Sequence, residues 1–310
     1  MLRSTFLWLS ERRGVLDFVK RNGLARRVAT RFVAGETLES AIEAGRVLNA
    51  RNITVSLDLL GESVSSPEET RLARDAIIRT VDGVATAKLD GNVSVKLTQL
   101  GLDIDTALCA ENMRAILDRA RESRTFIRMD MEGSKHTEAT LRLFYDVLHP
   151  EYDGLTGVVI QSYMRRSAKD IDDLVGAKAR VRLCKGAYAE PPDVAFQERA
   201  DVRASFSRLM RKLLEHGDYP GIATHDEVLI GETVAFAKER GVGADRFEFQ
   251  MLYGVRRDLQ ESLRWQGYNM RVYVPFGTHW YPYLMRRLAE RPANVGFMVG
   301  SIAKEAFGRR

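Results

Sequence analysis

Short β-rich runs alternate with longer helical patterns along most of this 310-residue chain. The runs are rich in valine, isoleucine, phenylalanine and tyrosine, as buried parallel strands usually are. Eight strand–helix alternations over about 240 residues predict a (β/α)8 barrel. An open doubly wound sheet is the rival fold, but the motif G-x-G-x-x-G that usually follows its first strand is absent. The predicted strands cover residues 54–59, 92–97, 125–131, 157–163, 179–185, 221–224, 246–251 and 270–275.

Two helix boundaries can be read from single residues. Pro67 follows two serines, a pattern that predicts a helix beginning there with a serine cap. Gly217 follows a long helical pattern and predicts its end.

Polar side chains close the predicted strands. The carboxyl ends of the strands of such a barrel lie on one face, where its catalytic groups gather. The set here is richer than emergence into water requires, so we predict a functional site on this face. Its members are Asp58, Lys96, Thr98, Asp130, Glu132, Gln161, Arg182, Lys185, Thr224, His225, Gln250 and Tyr273.

The composition is that of a globular protein, with 45% hydrophobic and 29% charged residues. No apolar run reaches the length of a membrane span, and no signal-peptide pattern is evident. Cys109 and Cys184 predict reduced thiols in the cytoplasm, and their spacing matches no metal motif. We predict a single domain over residues 1–310, with an N-terminal helical segment over 1–50 and the barrel over 51–310.

The net charge is +5, and much of the excess lies in the first 31 residues. A basic amphipathic helix there is a candidate for contact with an anionic membrane or nucleic acid. A helix docked on the domain with its basic side in water explains the same pattern. Beyond residue 35 basic and acidic residues are interspersed without a nucleic-acid-binding motif, so we predict no nucleic-acid partner.

The stretch YPYLMRRLAE, residues 281–290, would place Tyr283, Arg286, Arg287 and Glu290 on one face of a helix. Such a face is either solvated or a site for a small anion, since two guanidiniums can grip one carboxylate.

Positive charge from Lys96, Arg286 and Arg287 suits a substrate carboxylate, and Asp130 would keep Lys96 protonated. Alternatively, Lys96 or Lys185 forms a Schiff base, as in a barrel lyase or aldolase, or the barrel binds a phosphate. An imine-forming amine is helped by a desolvated pocket, whereas both lysines have polar neighbours. No two histidines lie at metal-ligand spacing, so no metal site is predicted.

Motifs spread from residue 57 to residue 290 together resemble the proline dehydrogenase family. They are LDLLGE, VSVKLTQLGLD, RMDMEGS, VVIQSY, VRLCKGAY, ATHD, FEFQMLYGVR and RVYVPFGTHWYPYLMRRLAE, in the expected order. The patterns RLxKGAY and YxxRRxxE are the specific ones. The resemblance implies a distorted, TIM-like (β/α)8 barrel of the α/β class, with extra N-terminal helices and a final helix over the top of the barrel.

The resemblance also implies roles for individual residues. Lys96, Arg286 and Arg287 would bind the proline carboxylate, and Glu62 and Glu290 would form ion pairs that close or brace the site. Around the proline ring would lie Asp130, Ala187, Leu252, Tyr273 and Tyr283. Contacts with the cofactor would come from Gln161, Arg182, Lys185, Ala187, Tyr188, Thr224 and His225, with Arg182 near flavin N5.

The implied reaction is hydride transfer from L-proline to FAD, which gives Δ1-pyrroline-5-carboxylate in the first step of proline catabolism. A membrane quinone would reoxidise the flavin, so a peripheral contact with the inner face of the cytoplasmic membrane is a candidate, as is a homo-oligomer. One residue departs from the pattern: Ala189 follows KGAY where many relatives have an aromatic residue, which affects the expected stacking near the adenine.

Overall fold

Eight parallel strands close into a barrel in the order of the chain, as a computed structural model that describes residues 31–61 and 64–284 shows. The first and last strands pair in parallel, with Thr54 beside Arg271, so the sheet has no open edge. The barrel prediction is therefore confirmed, and the open sheet is excluded. The strands are β1 Thr54–Leu59, β2 Gly91–Val95, β3 Ile127–Met129, β4 Thr156–Gln161, β5 Arg180–Cys184, β6 Gly221–Ala223, β7 Glu248–Leu252 and β8 Asn269–Phe276.

Helices follow each of the first seven strands, and one helix precedes the barrel. Their bounds are α1 Leu38–Asn49, α2 Pro67–Thr86, α3 Thr106–Ser123, α4 Ser134–Leu143, α5 Ser167–Gly176, α6 Arg199–His216, α7 Glu227–Glu239 and α8 Arg257–Trp265. A 3-10 turn over Leu97–Leu100 precedes α3, and α4 continues through a π-helical turn, Phe144–Leu148, and a last turn, His149–Glu151. The two boundaries predicted from single residues are confirmed, since Ser66 caps α2 and Gly217 ends α6.

Side chains alternate along the strands between two environments. Val55 and Leu57 belong to the apolar core that the strands form with the surrounding helices. Ser56, between them, hydrogen-bonds to Ser94 on β2 and to Arg182 on β5. Strands β1 and β5 lie on opposite sides of the barrel, so these polar side chains can meet only inside it. The interior of this barrel is thus polar, and the apolar core lies between its strands and helices.

Two glycines make room for the polar interior. A Cβ atom on Gly221 would overlap the side-chain amide of Gln250. A Cβ atom on Gly157 would lie 2.8 Å from Nη1 of Arg128 and overlap the Arg180 carbonyl oxygen. Glycine at these strand positions therefore reflects the large polar side chains packed against them.

The end of the described chain packs onto the barrel. Residues 280–284 are helical, and Trp280 Nε1 donates a hydrogen bond of 3.0 Å to Oε1 of Glu36. Tyr281 and Tyr283 are buried. The remainder of the predicted final helix and the first 30 residues lie outside the described residues. Among the residues described, no helix is long and apolar enough to cross a membrane.

Candidate active site

Asp130 is the centre of a charged cluster at the carboxyl ends of the strands. It follows β3, and its Oδ1 lies 2.8 Å from Nη1 of Arg182 on β5. Its Oδ2 accepts a hydrogen bond of 2.6 Å from the Tyr273 hydroxyl on β8 and lies 3.6 Å from Nζ of Lys96. One carboxylate thus joins side chains from three other strands or strand ends.

Lys96 directly follows β2 and has a nearer partner than the one predicted. Its Nζ lies 2.7 Å from Oδ1 of Asp58 on β1, compared with 3.6 Å from Asp130, and it donates a longer hydrogen bond of 3.4 Å to the Tyr273 hydroxyl. Burial alone would favour the neutral amine, but Asp58 and then Asp130 outweigh it and raise the pKa of Lys96. The ammonium is therefore charged throughout the physiological pH range.

Polar side chains inside the barrel fix the guanidinium of Arg182. It is 5% exposed, and its Nε donates to Oε1 of Gln250. Nη2 donates to the hydroxyls of Ser56 and Ser94, each at 3.3 Å. With the bond from Nη1 to Asp130, these contacts engage four of the five guanidinium N–H groups and fix its plane. One N–H on Nη1 has no partner among the described residues.

A further layer lies below Arg182. Nε2 of Gln250 donates a hydrogen bond of 2.6 Å to Oε1 of Glu248, and Nε of Arg271 donates one of 2.7 Å to the same oxygen. An arginine only donates and a carboxylate only accepts, so the two neighbours of Gln250 dictate which way its amide points. Arg128 is also buried, and its Nη1 donates a hydrogen bond of 3.1 Å to the carbonyl oxygen of Val158.

Tyr273 stands against the charged cluster with its ring 5.3 Å from the Arg182 guanidinium carbon. Burial and then the nearby Asp130 raise the pKa of its hydroxyl well above the usual value. The phenol therefore remains protonated and donates to Asp130, and its ring is fixed as a wall of the site.

The rim formed by β4, β5 and β6 carries most of the predicted cofactor residues. Gln161 Nε2 donates a hydrogen bond of 2.8 Å to the Glu132 carbonyl oxygen. The Glu132 carboxylate accepts a hydrogen bond of 2.7 Å from the Thr98 hydroxyl. Nε2 of His225 accepts a hydrogen bond of 3.0 Å from the Leu252 backbone N–H, so the neutral ring carries its proton on Nδ1. These contacts fix the rim and bring Leu252 beside His225.

Lys185 and Thr224 meet at Asp226, which caps α7. Asp226 Oδ2 lies 2.6 Å from Lys185 Nζ and 2.9 Å from Arg203 Nη2. The Thr224 hydroxyl accepts 3.1 Å from the Asp226 backbone N–H. Partial burial opposes ionisation, but hydrogen bonds from Lys185 and Arg203 lower the pKa of Asp226 to about 2.

Ala187 and Tyr188 lie on the loop after β5. Gly186, with φ of 108°, lets this loop pass directly over the Tyr163 ring. Glu190 anchors the loop by accepting a 2.7 Å hydrogen bond from the backbone N–H of Ser134, at the start of α4. Ala187 is half-buried, and Tyr188 is exposed at the rim.

The structure brings most of the predicted residues to one face of the barrel. Glu62, Arg286, Arg287 and Glu290 lie outside the described residues. Tyr283, which is among the described residues, is buried. Four residues of the network were not predicted from the sequence: Ser56, Ser94, Glu248 and Arg271. Asp58 was predicted on the functional face but was given no individual role. Alternation of polar and apolar residues in TVSLDL, NVSVKL, EFQML and RVYVPF is the signal that identifies them as barrel-lining positions.

A closed barrel with cationic, anionic and aromatic side chains gathered at the carboxyl ends of its strands defines a (β/α)8 barrel enzyme. Comparison with known proteins gives the family. A family model described as "Proline dehydrogenase" matches residues 41–299. The chain belongs to the proline dehydrogenase family.

Relatives support this assignment over the full length. The chain is 43% identical to proline dehydrogenase 2 of Bacillus subtilis over 98% of this chain and 99% of that protein. It is 40% identical to proline dehydrogenase of Deinococcus radiodurans, over 94% of this chain and 98% of that one. Proline utilization A from Bdellovibrio bacteriovorus, solved after inactivation by N-propargylglycine, has a similar structure, with a TM-score of 0.81 and 25% identity. That similarity covers 91% of this chain and 34% of the larger one.

Residues present at the β5 end fit a flavin cofactor, which the family implies. The remaining Nη1 N–H of Arg182 is a hydrogen-bond donor, the Lys185 side chain is a cation that is 37% exposed, and Tyr188 offers an exposed ring. A flavin dinucleotide presents matching groups: ring nitrogens and carbonyl oxygens, a diphosphate, and two aromatic systems.

Proposed function

We propose that this enzyme oxidises L-proline to Δ1-pyrroline-5-carboxylate with FAD as the electron acceptor. The observation that carries the proposal is the cluster of Lys96, Asp130, Arg182 and Tyr273 at the mouth of the barrel, in a chain of the proline dehydrogenase family. When bound, FAD supplies the acceptor for the hydride that leaves proline C5, because protein side chains do not take up an electron pair in this way.

Binding of the substrate carboxylate requires more positive charge than the described cluster offers. The charges of Lys96 and Arg182 are balanced by those of Asp58 and Asp130, so these four groups sum to zero. We infer that Arg286 and Arg287 supply the excess, with Lys96 as the third cation around the carboxylate. Glu62 and Glu290 then pair with these arginines and limit their motion.

The proline ring is oriented by the walls of the site. Tyr273 is fixed through Asp130, and Leu252 is fixed through its backbone bond to His225. We propose that these side chains, with Ala187 and Tyr283, set the tilt of the ring and exclude water. Exclusion of water favours the neutral amine, whose lone pair drives hydride loss from C5.

Cofactor binding is assigned to the rim of β4, β5 and β6. Arg182 would donate to the flavin ring, while Gln161, Lys185, Thr224 and His225 would hold the rest of the dinucleotide. Tyr188 would pack against it, and residue 189, an alanine, offers no aromatic ring of its own.

A Schiff-base lyase is disfavoured by the state of both lysines. Imine formation needs a neutral amine. Lys96 is held between two carboxylates, and Lys185 lies 2.6 Å from Asp226.

Further parts of the proposal concern the partners of the enzyme. We propose that a membrane quinone reoxidises the flavin, that the enzyme is cytoplasmic, and that contact with the inner face of the membrane is peripheral. A homo-oligomer is compatible with the proposal, and nucleic acid is not a partner.

An absorption spectrum of the purified protein tests the function. We expect the bands of oxidised flavin before anaerobic addition of L-proline and their bleaching afterwards. A colourless protein that forms a borohydride-trapped adduct with an aldehyde substrate would contradict the proposal. The Arg287→Met variant should retain flavin and show a steep rise in KM for proline.

A further inference from the structure

We propose that Asp58 is a positioning residue, which fixes the Lys96 ammonium over the barrel opening and keeps it available to the substrate carboxylate. The inference rests on the proposed function, in which Lys96 is one of the carboxylate's partners. It adds a residue to which the family motifs gave no role.

The first support is the arrangement of the two side chains. Asp58 Oδ1 lies 2.7 Å from Lys96 Nζ, which makes Asp58 the nearest acid to this lysine among the described residues. The Asp58 side chain is 1% exposed and that of Lys96 is 19% exposed. The carboxylate is therefore the deeper of the two groups, and it can act on a substrate only through the lysine.

The second support is that, among the described residues, the Asp58 carboxylate has no other hydrogen-bond or ion-pair partner. Within residues 31–61 and 64–284, its buried Oδ2 accepts no hydrogen bond. A buried carboxylate without compensation is costly, so the Lys96 ammonium is what makes Asp58 tolerable at this depth. The dependence is mutual, because a lysine in this position would lose its proton easily without an adjacent anion.

The third support is the asymmetry between the two acids that face Lys96. Asp130 already accepts from Arg182 at 2.8 Å and from Tyr273 at 2.6 Å, and it lies 3.6 Å from the ammonium. Its charge is shared among these groups, whereas that of Asp58 is directed to Lys96. Tyr188, on the loop after β5, also lies within electrostatic range of Lys96, and the Tyr273 hydroxyl donates a hydrogen bond to Asp130.

The test is a titration of the flavin-loaded enzyme with tetrahydrofuran-2-carboxylate, in which calorimetry measures the dissociation constant. This compound has the shape of proline but no amine, so only protein groups titrate between about pH 6.5 and about pH 9.5. For the wild type we expect a flat dissociation constant over this range. For Asp58→Asn we expect the dissociation constant at the low end of this pH range to rise by no more than about threefold. At higher pH, once Lys96 loses its proton, it should rise by about tenfold per pH unit.

Two further variants separate positioning from general damage. In Asp58→Asn with Lys96→Arg, the guanidinium cannot lose its proton, so binding should again be flat with pH. Asp82→Asn, which removes a carboxylate paired with Arg119 on the outer surface, should behave as the wild type. With proline as substrate, Asp58→Asn should raise KM relative to the wild type increasingly with pH and leave kcat nearly unchanged.

A flat titration for Asp58→Asn would overturn the inference, since Asp130 alone would then suffice to hold Lys96. Loss of pH-flat binding in the Lys96→Arg background would overturn it as well. Failure of the proposed function is distinguishable, because then the wild type would not bind the analogue, or Lys96→Met would bind it equally well. If Asp58→Asn does not fold, Asp58→Ser is titrated in its place, with the same outcomes.

Discussion

Glu248→Gln is the substitution that best tests the polar interior of the barrel. Glu248 is 3% exposed, and its Oε1 accepts from both Gln250 at 2.6 Å and Arg271 at 2.7 Å. A glutamine oxygen has two lone pairs and can keep both hydrogen bonds, so the variant removes mainly a negative charge. That charge is the counterion of Arg271 and also faces Arg128. Removing one partner of a buried ion pair costs about 3–5 kcal/mol.

The measurement is guanidinium-induced unfolding of the flavin-loaded protein, followed by tryptophan fluorescence. We expect the free energy of unfolding to fall by that amount near neutral pH. Burial opposes ionisation of Glu248, but Arg271 outweighs it, and the pKa of Glu248 lies below its ordinary value of 4.5. The carboxylate therefore stabilises the fold fully above about pH 4.5, and this contribution fades as the pH falls below that value. The difference between variant and wild type should shrink over the same range.

Glu239→Gln is the matched control, since its carboxylate lies 3.7 Å from Arg240 and is 67% exposed. Exposed pairs contribute about 0–1 kcal/mol, so this variant should unfold nearly as the wild type does. An unchanged unfolding curve for Glu248→Gln would refute the view that the Glu248 carboxylate compensates the buried charge of Arg271.

Three other predictions concern contacts elsewhere in the barrel. Asp130→Asn offers an amide N–H to a site where Arg182, Tyr273 and Lys96 all donate, so kcat/KM for proline should fall by at least about 100-fold, the equivalent of one buried charged hydrogen bond; an intact steady-state rate would contradict this. Gly221→Ala places a methyl group against the Gln250 amide and should lower the free energy of unfolding by about 1–3 kcal/mol in denaturant titrations, and an unchanged midpoint would count against the close packing. Ionised Asp226, with a pKa lowered to about 2, stabilises the cap of α7 above about pH 4 and loses that effect as the pH approaches 2, so Asp226→Asn should remove this part of the acid transition seen by circular dichroism.

The strands and their order were predictable because the signals are local. All eight predicted runs overlap the observed strands, and β1 coincides with the predicted 54–59. Closure of the barrel followed from the number of alternations and was confirmed by pairing of β1 with β8. The start of α2 was likewise predictable from two adjacent residues, the capping Ser66 and Pro67.

Most contacts of the interior network were not predicted, because they join distant parts of the chain. Arg182 meets Ser56 across 126 positions of sequence, and Lys96 meets Asp58 across 38. The strands were predicted as generally apolar, so the alternation between residues that line the barrel interior and residues that face the apolar core was not used. Asp130 was correctly predicted to face Lys96, but Asp58 is closer. The roles of Arg286, Arg287, Glu62 and Glu290 remain predictions, since they lie outside the described residues.

An anaerobic titration that compares L-proline with pyrrolidine tests the central claim most directly. Both amines have a five-membered ring with a C–N bond that can be oxidised, but only proline has the carboxylate that the cations at the barrel mouth are proposed to bind. We expect proline to bleach the flavin absorption of the wild type at concentrations where pyrrolidine does not, and Lys96→Met to reduce this difference. Equal bleaching by both amines would show that the carboxylate is not recognised and would contradict the account.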